Sequence, residues 1–397
     1  MLKTRSSTPT RLSVSAKQIV CVCFVFLVIG LNDAASGVLI ASIQAQYDVD
    51  KATVALTFLC GTTGFLIAAL TSGPLRELLG TRRLLLLGMV FFLLGLAGLS
   101  LLPPFALFTL LLVPIGCGSG ILEAVLNASI ASLPRRTVLL TYLHASYGIG
   151  ALLGPTFVST WLVIGLPWNT VYTCWWVLGL LVLLGLALTF KMPLNGSKME
   201  ETKGEGNVLV ATLHLPIAWI AALFLLLYVG LEVSLGSWCY SYLIEGRRLS
   251  PLLGGWANSG YWLGLVLGRM LLGGFIERVG EKRAIQSCGI GVVIGLLVAW
   301  LLPINIVVAI AFCWVGFCLG PIFSTIISLM AKYLSSRLLS SAIGFMTSVG
   351  SMGAAFFPWL AGNLIQHFSL SVLMPYAMMV AFLMLGSWLA LQTHPQA

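Results

Sequence analysis

The chain has 397 residues, 59% of them apolar and only 8% charged, where an ordinary soluble protein carries about 25% charged residues. A soluble globule has no interior large enough for that much apolar surface, so lipid must solvate most of it. The net charge of +9 lies in short clusters between apolar runs, not on one basic face, which argues against nucleic acid as a partner.

Lys3, Arg5, Arg11 and Lys17 precede the first apolar run. That run is too long for the core of a secretory signal and lacks a small-residue cleavage site before Asn32-Asp33, so it reads as a first span behind a cytoplasmic tail. Hydropathy then predicts spans at 18–43, 52–72, 84–102, 105–133, 138–163, 170–190, 215–243, 252–275, 284–302, 304–331, 338–366 and 370–391. The expected organisation is a tail (1–17), a six-helix bundle (18–190), a linker (191–213), a second six-helix bundle (214–391) and a short tail (392–397). The linker is polar and charge-rich and is expected to be poorly ordered. Its Asn195-Gly-Ser197 sequon is expected to stay unglycosylated on the cytoplasmic side, as is Asn127-Ala-Ser129 within the membrane.

Basic residues orient the spans. With the N-terminus inside, seventeen lysines and arginines fall in the cytoplasm and three (Lys51, Arg247, Arg248) outside, with Arg269 left within the eighth span. Both termini are therefore expected in the cytoplasm. The nine cysteines lie almost entirely inside apolar runs, without paired C-x-x-C spacing, and read as small core hydrophobes.

Between spans two and three stands Gly73-Pro-Leu-Arg76-Glu77-Leu-Leu-Gly80-Thr-Arg82-Arg83. Between spans eight and nine stands Gly273-Gly-Phe-Ile-Glu277-Arg278-Val-Gly280-Glu-Lys282-Arg283. Both read G-x-x-x-E-x-x-G-x-[RK]-R, 200 residues apart, and such a repeat implies two related halves working around a central site.

Six plus six spans with this loop in each half resemble the major facilitator superfamily over essentially the whole chain. The first loop departs from the usual pattern, with Glu77 for Asp, Leu78 for a basic residue and Thr81 for Arg. The resemblance implies an all-α membrane protein of twelve transmembrane helices in two pseudo-symmetric six-helix bundles. It also implies a cytoplasmic latch built from Gly73, Glu77, Gly80, Arg82, Arg83, Arg269, Glu277, Arg278, Gly280 and Arg283. Arg269 in that role either caps a helix or pairs with Glu277. Further segments resemble the fucose-permease-like branch and above all its fungal members: Leu31-Asn32-Asp33, Leu122-Glu123-Ala-Val-Leu-Asn127, His144-Ala-Ser-Tyr147-Gly148-Ile-Gly150, Tyr228-Val-Gly230-Leu-Glu232 and Gly264-Leu-Val-Leu-Gly268-Arg269. In that branch similar acids carry proton coupling, which implies that role for Asp33 and Glu123.

The residues speak to the same role. Asp33, Glu123 and Glu232 are the acids within the predicted spans, and an ionised carboxylate at mid-bilayer costs about 2.5–3.5 kcal/mol on insertion scales. Such a group must face water, pair, or hold a proton, and a carboxyl shielded from water can exchange protons near neutral pH. Asp33 lies a turn from Gly30 and Gly37, which allow close helix approach, and Glu123 shares a helix face with Asn127. Each is otherwise readable as a structural hydrogen bond between helices. Glu232 either binds substrate or pairs with a polar neighbour such as Asn258. His144 is either a titrating group or a satisfied structural histidine.

Candidate substrate-binding residues are Asn32, Asn127, Tyr147, Tyr228, Glu232, Trp238, Asn258, Trp262 and Asn363. Amides that bond hydroxyls and indoles that stack on sugar faces suit a neutral polyhydroxylated solute. The Gly148/Gly150/Gly154-Pro155 stretch partly matches the antiporter signature of drug exporters. The expected function is proton-coupled alternating-access transport of a small, sugar-like solute by a plasma-membrane monomer, with proton-antiport efflux as the alternative. A P-loop, a G-x-S-x-G elbow and metal-spaced His/Cys clusters are missing from the sequence, so neither an enzyme nor a cofactor nor a metal is expected.

Overall fold

The computed structural model describes residues 16–131, 136–190 and 208–393. Most of the expected N-terminal tail, residues 191–207 of the linker with the Asn195 sequon, Arg135 and residues 394–397 lie outside the described residues. Among the described residues there are helices and no strands. Twelve long helical segments follow the predicted spans in order. The first half holds α1 (Ala16–Tyr47), α2 (Lys51–Leu79), α3 (Thr81–Ser100), α4 (Phe105–Ala131), α5 (Arg136–Val163) and α6 (Thr170–Thr189). The second holds α7 (Pro216–Gly246), α8 (Pro251–Leu271), α9 (Glu281–Leu301), α10 (Asn305–Tyr333), α11 (Ser336–His367) and α12 (Leu373–Thr393). Among the described residues, ten segments are each long and apolar enough to cross a membrane, or eleven when α8 and the helix Gly273–Val279, bent 51° from it, count as one. The end of the expected linker is helical: Val208–Leu213 packs on α11 with Thr212 buried, as an apolar stretch without Gly or Pro allows.

The duplication runs deeper than the twin loops, because the packing glycines repeat at the same 200-residue offset. A Cβ on Gly64 would meet the Val113 carbonyl, and one on Gly264 the Cys313 carbonyl, which joins α2 to α4 and α8 to α10 alike. Gly116 abuts the Gly61 carbonyl and Gly316 the Tyr261 carbonyl in the same way. With lipid on the outside, helices gain little by hiding apolar surface and associate through such close backbone approach. Within the twin loops, Gly80 (φ 77°, ψ 156°) and Gly280 (φ 83°, ψ 151°) adopt one conformation, open almost only to glycine. Each ends one helix and starts the next: their N–H groups donate to Arg76 O and Ile276 O at 2.9 Å, and their carbonyls accept from Leu84 and Ala284.

The halves meet toward the end that carries few basic residues. There Lys51 bonds Glu245 and Gln366, and Thr156 bonds Ser259. Gly37 of α1 abuts the Ser237 backbone of α7. At the basic end, no ion pair joins the halves among the described residues.

Candidate functional site

Two helix crossings set the centre of the molecule. In the first half, α1 and α5 touch backbone to backbone: Gly30 abuts the Tyr147 carbonyl, and Gly150 and Gly154 abut the carbonyls of Leu27 and Leu31. That closeness brings Tyr147 to Asp33, whose Oδ2 accepts the phenol hydrogen bond at 3.3 Å. Asn32 Nδ2 donates to Asp33 Oδ1, also at 3.3 Å. Asp33 lies midway along α1, its neighbours Ala34 and Ala35 are buried, and yet its own side chain is exposed. Glu123 of α4, half-buried, lies within electrostatic reach of Asp33. Among the described residues neither carboxyl makes an ion pair.

The second half faces this pair with a cation. Arg269 Nη2 lies 3.4 Å from Glu232 Oε1, and its Nε donates to the Gly320 carbonyl at 3.2 Å. Arg269 therefore pairs with Glu232, not with Glu277 as the sequence suggested. The helix Gly273–Val279 continues the span beyond α8, so Arg269 sits well inside it and its long side chain reaches inward instead of toward the loop. Glu232 likewise takes Arg269, not Asn258, as its partner. The Tyr147 phenol feels the charges of Asp33, Glu123, Glu232 and Arg269, so ionisable groups of both halves converge on one cleft. The Arg269 side chain remains 36% exposed there.

Trp238 and Asn363 are engaged within the second bundle in this conformation, while Tyr228 lies beside the Arg269–Glu232 pair. Tyr228, Trp238 and Asn258 are fully buried. Tyr228 donates to the Leu319 carbonyl at 3.1 Å and Trp238 Nε1 to the Pro358 carbonyl at 2.9 Å, bonds that hold the second bundle together. Asn363 donates to Trp359 O one turn earlier in its own helix. Asn127 Oδ1, both amide atoms of Asn258 and Trp262 Nε1 are buried without a protein partner, an arrangement that costs about 1–3 kcal/mol per group and suits groups that meet a ligand or water in some state. His144 sets its ring edge-on to Phe26, centroids 5.8 Å apart. Of the expected latch, Arg82 donates to Ala187 O in its own half at 3.1 Å, and neither Glu77 nor Glu277 forms an ion pair among the described residues.

The sequence signals missed Tyr261, whose hydroxyl donates to the Glu232 carbonyl at 2.8 Å and so braces the acid that holds Arg269. An isolated tyrosine in an apolar run gives no cue of this kind.

Comparison with known proteins agrees with this architecture. The model of the Major Facilitator Superfamily matches residues 22–358 and 233–397. The yeast Saccharomyces cerevisiae protein named "Bypass of stop codon protein 6" is 25% identical over 380 residues, covering 87% of this chain and 76% of the relative. The nucleoside transporter NupG superposes with a TM-score of 0.79 at 12% identity, covering 95% of this chain and 99% of its own. The Escherichia coli fucose:proton symporter FucP superposes with a TM-score of 0.67 at 16% identity, covering 96% and 99%. The two halves, their repeated loops and the match across nearly the whole length lead to one conclusion: the chain belongs to the Major Facilitator Superfamily of membrane transporters.

Proposed function

We propose that this transporter moves a small, neutral, hydroxyl-rich solute together with protons by alternating access, with Asp33 and Glu123 as the proton-exchanging groups. The observation that carries the reading is Asp33: an exposed mid-helix carboxyl bonded to a phenol and an amide and to no cation among the described residues. Charged and unpaired, it opposes any state that closes the cleft around it, by about 2.5–3.5 kcal/mol on insertion scales. A proton removes that cost, so closing and reopening around the solute is tied to proton uptake and release. Asn32, Asn127 and Tyr147 supply amide and hydroxyl groups for a solute that carries hydroxyls. The charge asymmetry supports a basic end in the cytoplasm with both termini inside, and the seam closed at the other end then makes this conformation inward-open, in a plasma-membrane monomer.

The test uses purified protein in liposomes, a panel of labelled monosaccharides and aromatic acids, and an imposed inward proton gradient. Accumulation of a sugar driven by the gradient is expected. Asp33→Asn abolishes that accumulation while leaving solute exchange across the bilayer, and unchanged accumulation in the variant removes Asp33 from coupling. Export is the second reading, favoured by the Gly148/Gly150/Gly154-Pro155 stretch, and it predicts solute moving opposite to the protons in the same vesicles.

A further inference from the structure

At the charge-poor end the halves close along two seams related by the 200-residue offset. In one, α8 lies on α5: Gly255 abuts Ser159, and the Thr156 and Ser259 hydroxyls bond each other at 2.7 Å. In the other, the start of α2 lies in the angle between α7 and α11. There Gly362 packs on Ala55 and Trp238, and the Phe58 ring sits 6.3 Å from that of Trp238. The first seam is polar and uncharged. The second carries Lys51, whose Nζ lies 2.7 Å from Glu245 Oε2 and whose backbone N–H donates to Gln366 Oε1 at 3.0 Å.

Both partners are presented by braced elements. Asp50 caps the first turn of α2, accepting from the Thr53 N–H at 2.7 Å. Hydrogen bonds from the Thr53 side chain and backbone hold the Asp50 carboxyl below its ordinary value, so the cap is charged at neutral pH. Glu245 belongs to a π turn, Tyr242–Gly246, that ends α7. Just beyond it, Arg247 donates to the carbonyls of Ala299 and Leu302 at 2.7 and 2.9 Å and to the Tyr242 hydroxyl at 3.1 Å, stapling the turn to the end of α9. The Lys51 side chain is 18% exposed and that of Glu245 35%, so the pair is shielded more than an ordinary surface pair. The neighbouring charges are Asp48 and Asp50 on the turn between α1 and α2, Arg247 and Arg248 after α7, and His367 at the end of α11.

We propose that the Lys51–Glu245 pair, with the Gln366 amide, is the lock of the charge-poor end: intact in the conformation described here and broken whenever the halves part at that end. It uses none of the cleft residues and does not rest on proton coupling.

Hydrogen–deuterium exchange on the full chain in lipid nanodiscs tests it. Lys51→Glu and Glu245→Lys each set like charges face to face, and the double variant restores the attraction. Each single variant is expected to raise exchange by about fivefold at residues 51–58 and 359–366, and also at 155–162 and 252–259 in the uncharged seam. It is expected to lower exchange at residues 140–147 and 263–270 as the cleft closes toward the basic end. The double variant should return both regions to wild type. Changes confined to residues 48–54 and 242–248, or a double variant no closer to wild type than the singles, overturn the lock. Neither solute nor gradient enters the measurement, so failure of the proton-coupling reading leaves its outcome untouched, and the reverse holds too.

Discussion

A guanidinium within a membrane needs an acceptor for each donor it turns from water, and Arg269 finds them in Glu232 and in the Gly320 carbonyl beside the Pro321 break in α10. Its side chain stays 36% exposed, which discounts the pair relative to a fully buried one. Removing one partner is still the damaging change, because it leaves a charge behind in the cleft wall. Arg269→Gln is expected to destabilise the purified protein by about 1–3 kcal/mol, and Arg269→Gln with Glu232→Gln to recover most of the loss. Melting curves of the two variants in one detergent check this, and equal melting points would show that the pair holds nothing. The pairing was not legible in sequence, since Arg269 and Glu232 lie 37 residues apart on different helices and Glu277 lies only eight away. Asp33 was legible, because an acid halfway along an apolar run stands out whatever the fold.

At the scale of helices, the repeated loops gave the sharpest agreement between sequence and structure. Their second glycines sit at φ 77° and 83° with ψ near 150°, a region that costs an L-residue about 1–3 kcal/mol. Gly80→Ala and Gly280→Ala are therefore expected to destabilise by that amount each, while Gly73→Ala and Gly273→Ala, where an added Cβ meets nothing within 4 Å, change little. Thermal unfolding of the four variants separates the pairs, and a uniform response would contradict a backbone origin. Span positions were legible because apolar length reports the membrane directly. Helix ends and bends were not: α1 runs on to Tyr47, and the 51° bend after Leu271 depends on packing that no local pattern records. The burial of Tyr228, Trp238 and Asn258 was equally hidden, since which face of an all-apolar helix meets protein and which meets lipid is settled by its neighbours.

Across the whole molecule, backbone register is duplicated, but outside the twin loops charge is not. At the 200-residue offset Asp33 corresponds to Val233, Glu123 to Phe323, Tyr147 to Thr347 and Arg269 to Ala69, while Asn32 corresponds to Glu232. Two alike scaffolds thus bring unlike groups to one cleft, the first half supplying unpaired carboxyls and the second a paired cation. Orientation is a property at this scale as well. A glycan acceptor inserted at the turn near 165 or 303 is expected to be modified in a eukaryotic membrane, while the Asn195 sequon stays bare. A mobility shift on gels reads this, and a glycan at Asn195 would invert the topology.

A π turn is an α-helix carrying one surplus residue, and the surplus turns everything after it by about 100° around the axis. The direction in which Glu245 leaves α7 is thus governed by how many residues Tyr242–Gly246 contains and not only by which they are. Its partner Lys51, at the 200-residue offset from Pro251, begins a helix that no such turn precedes, since α1 ends as an α-helix at Tyr47. Loss of a single residue from that turn would leave every charge in place and swing the acid about a quarter-circle away from the lysine. The fit between the halves at this end is in that sense written in chain length.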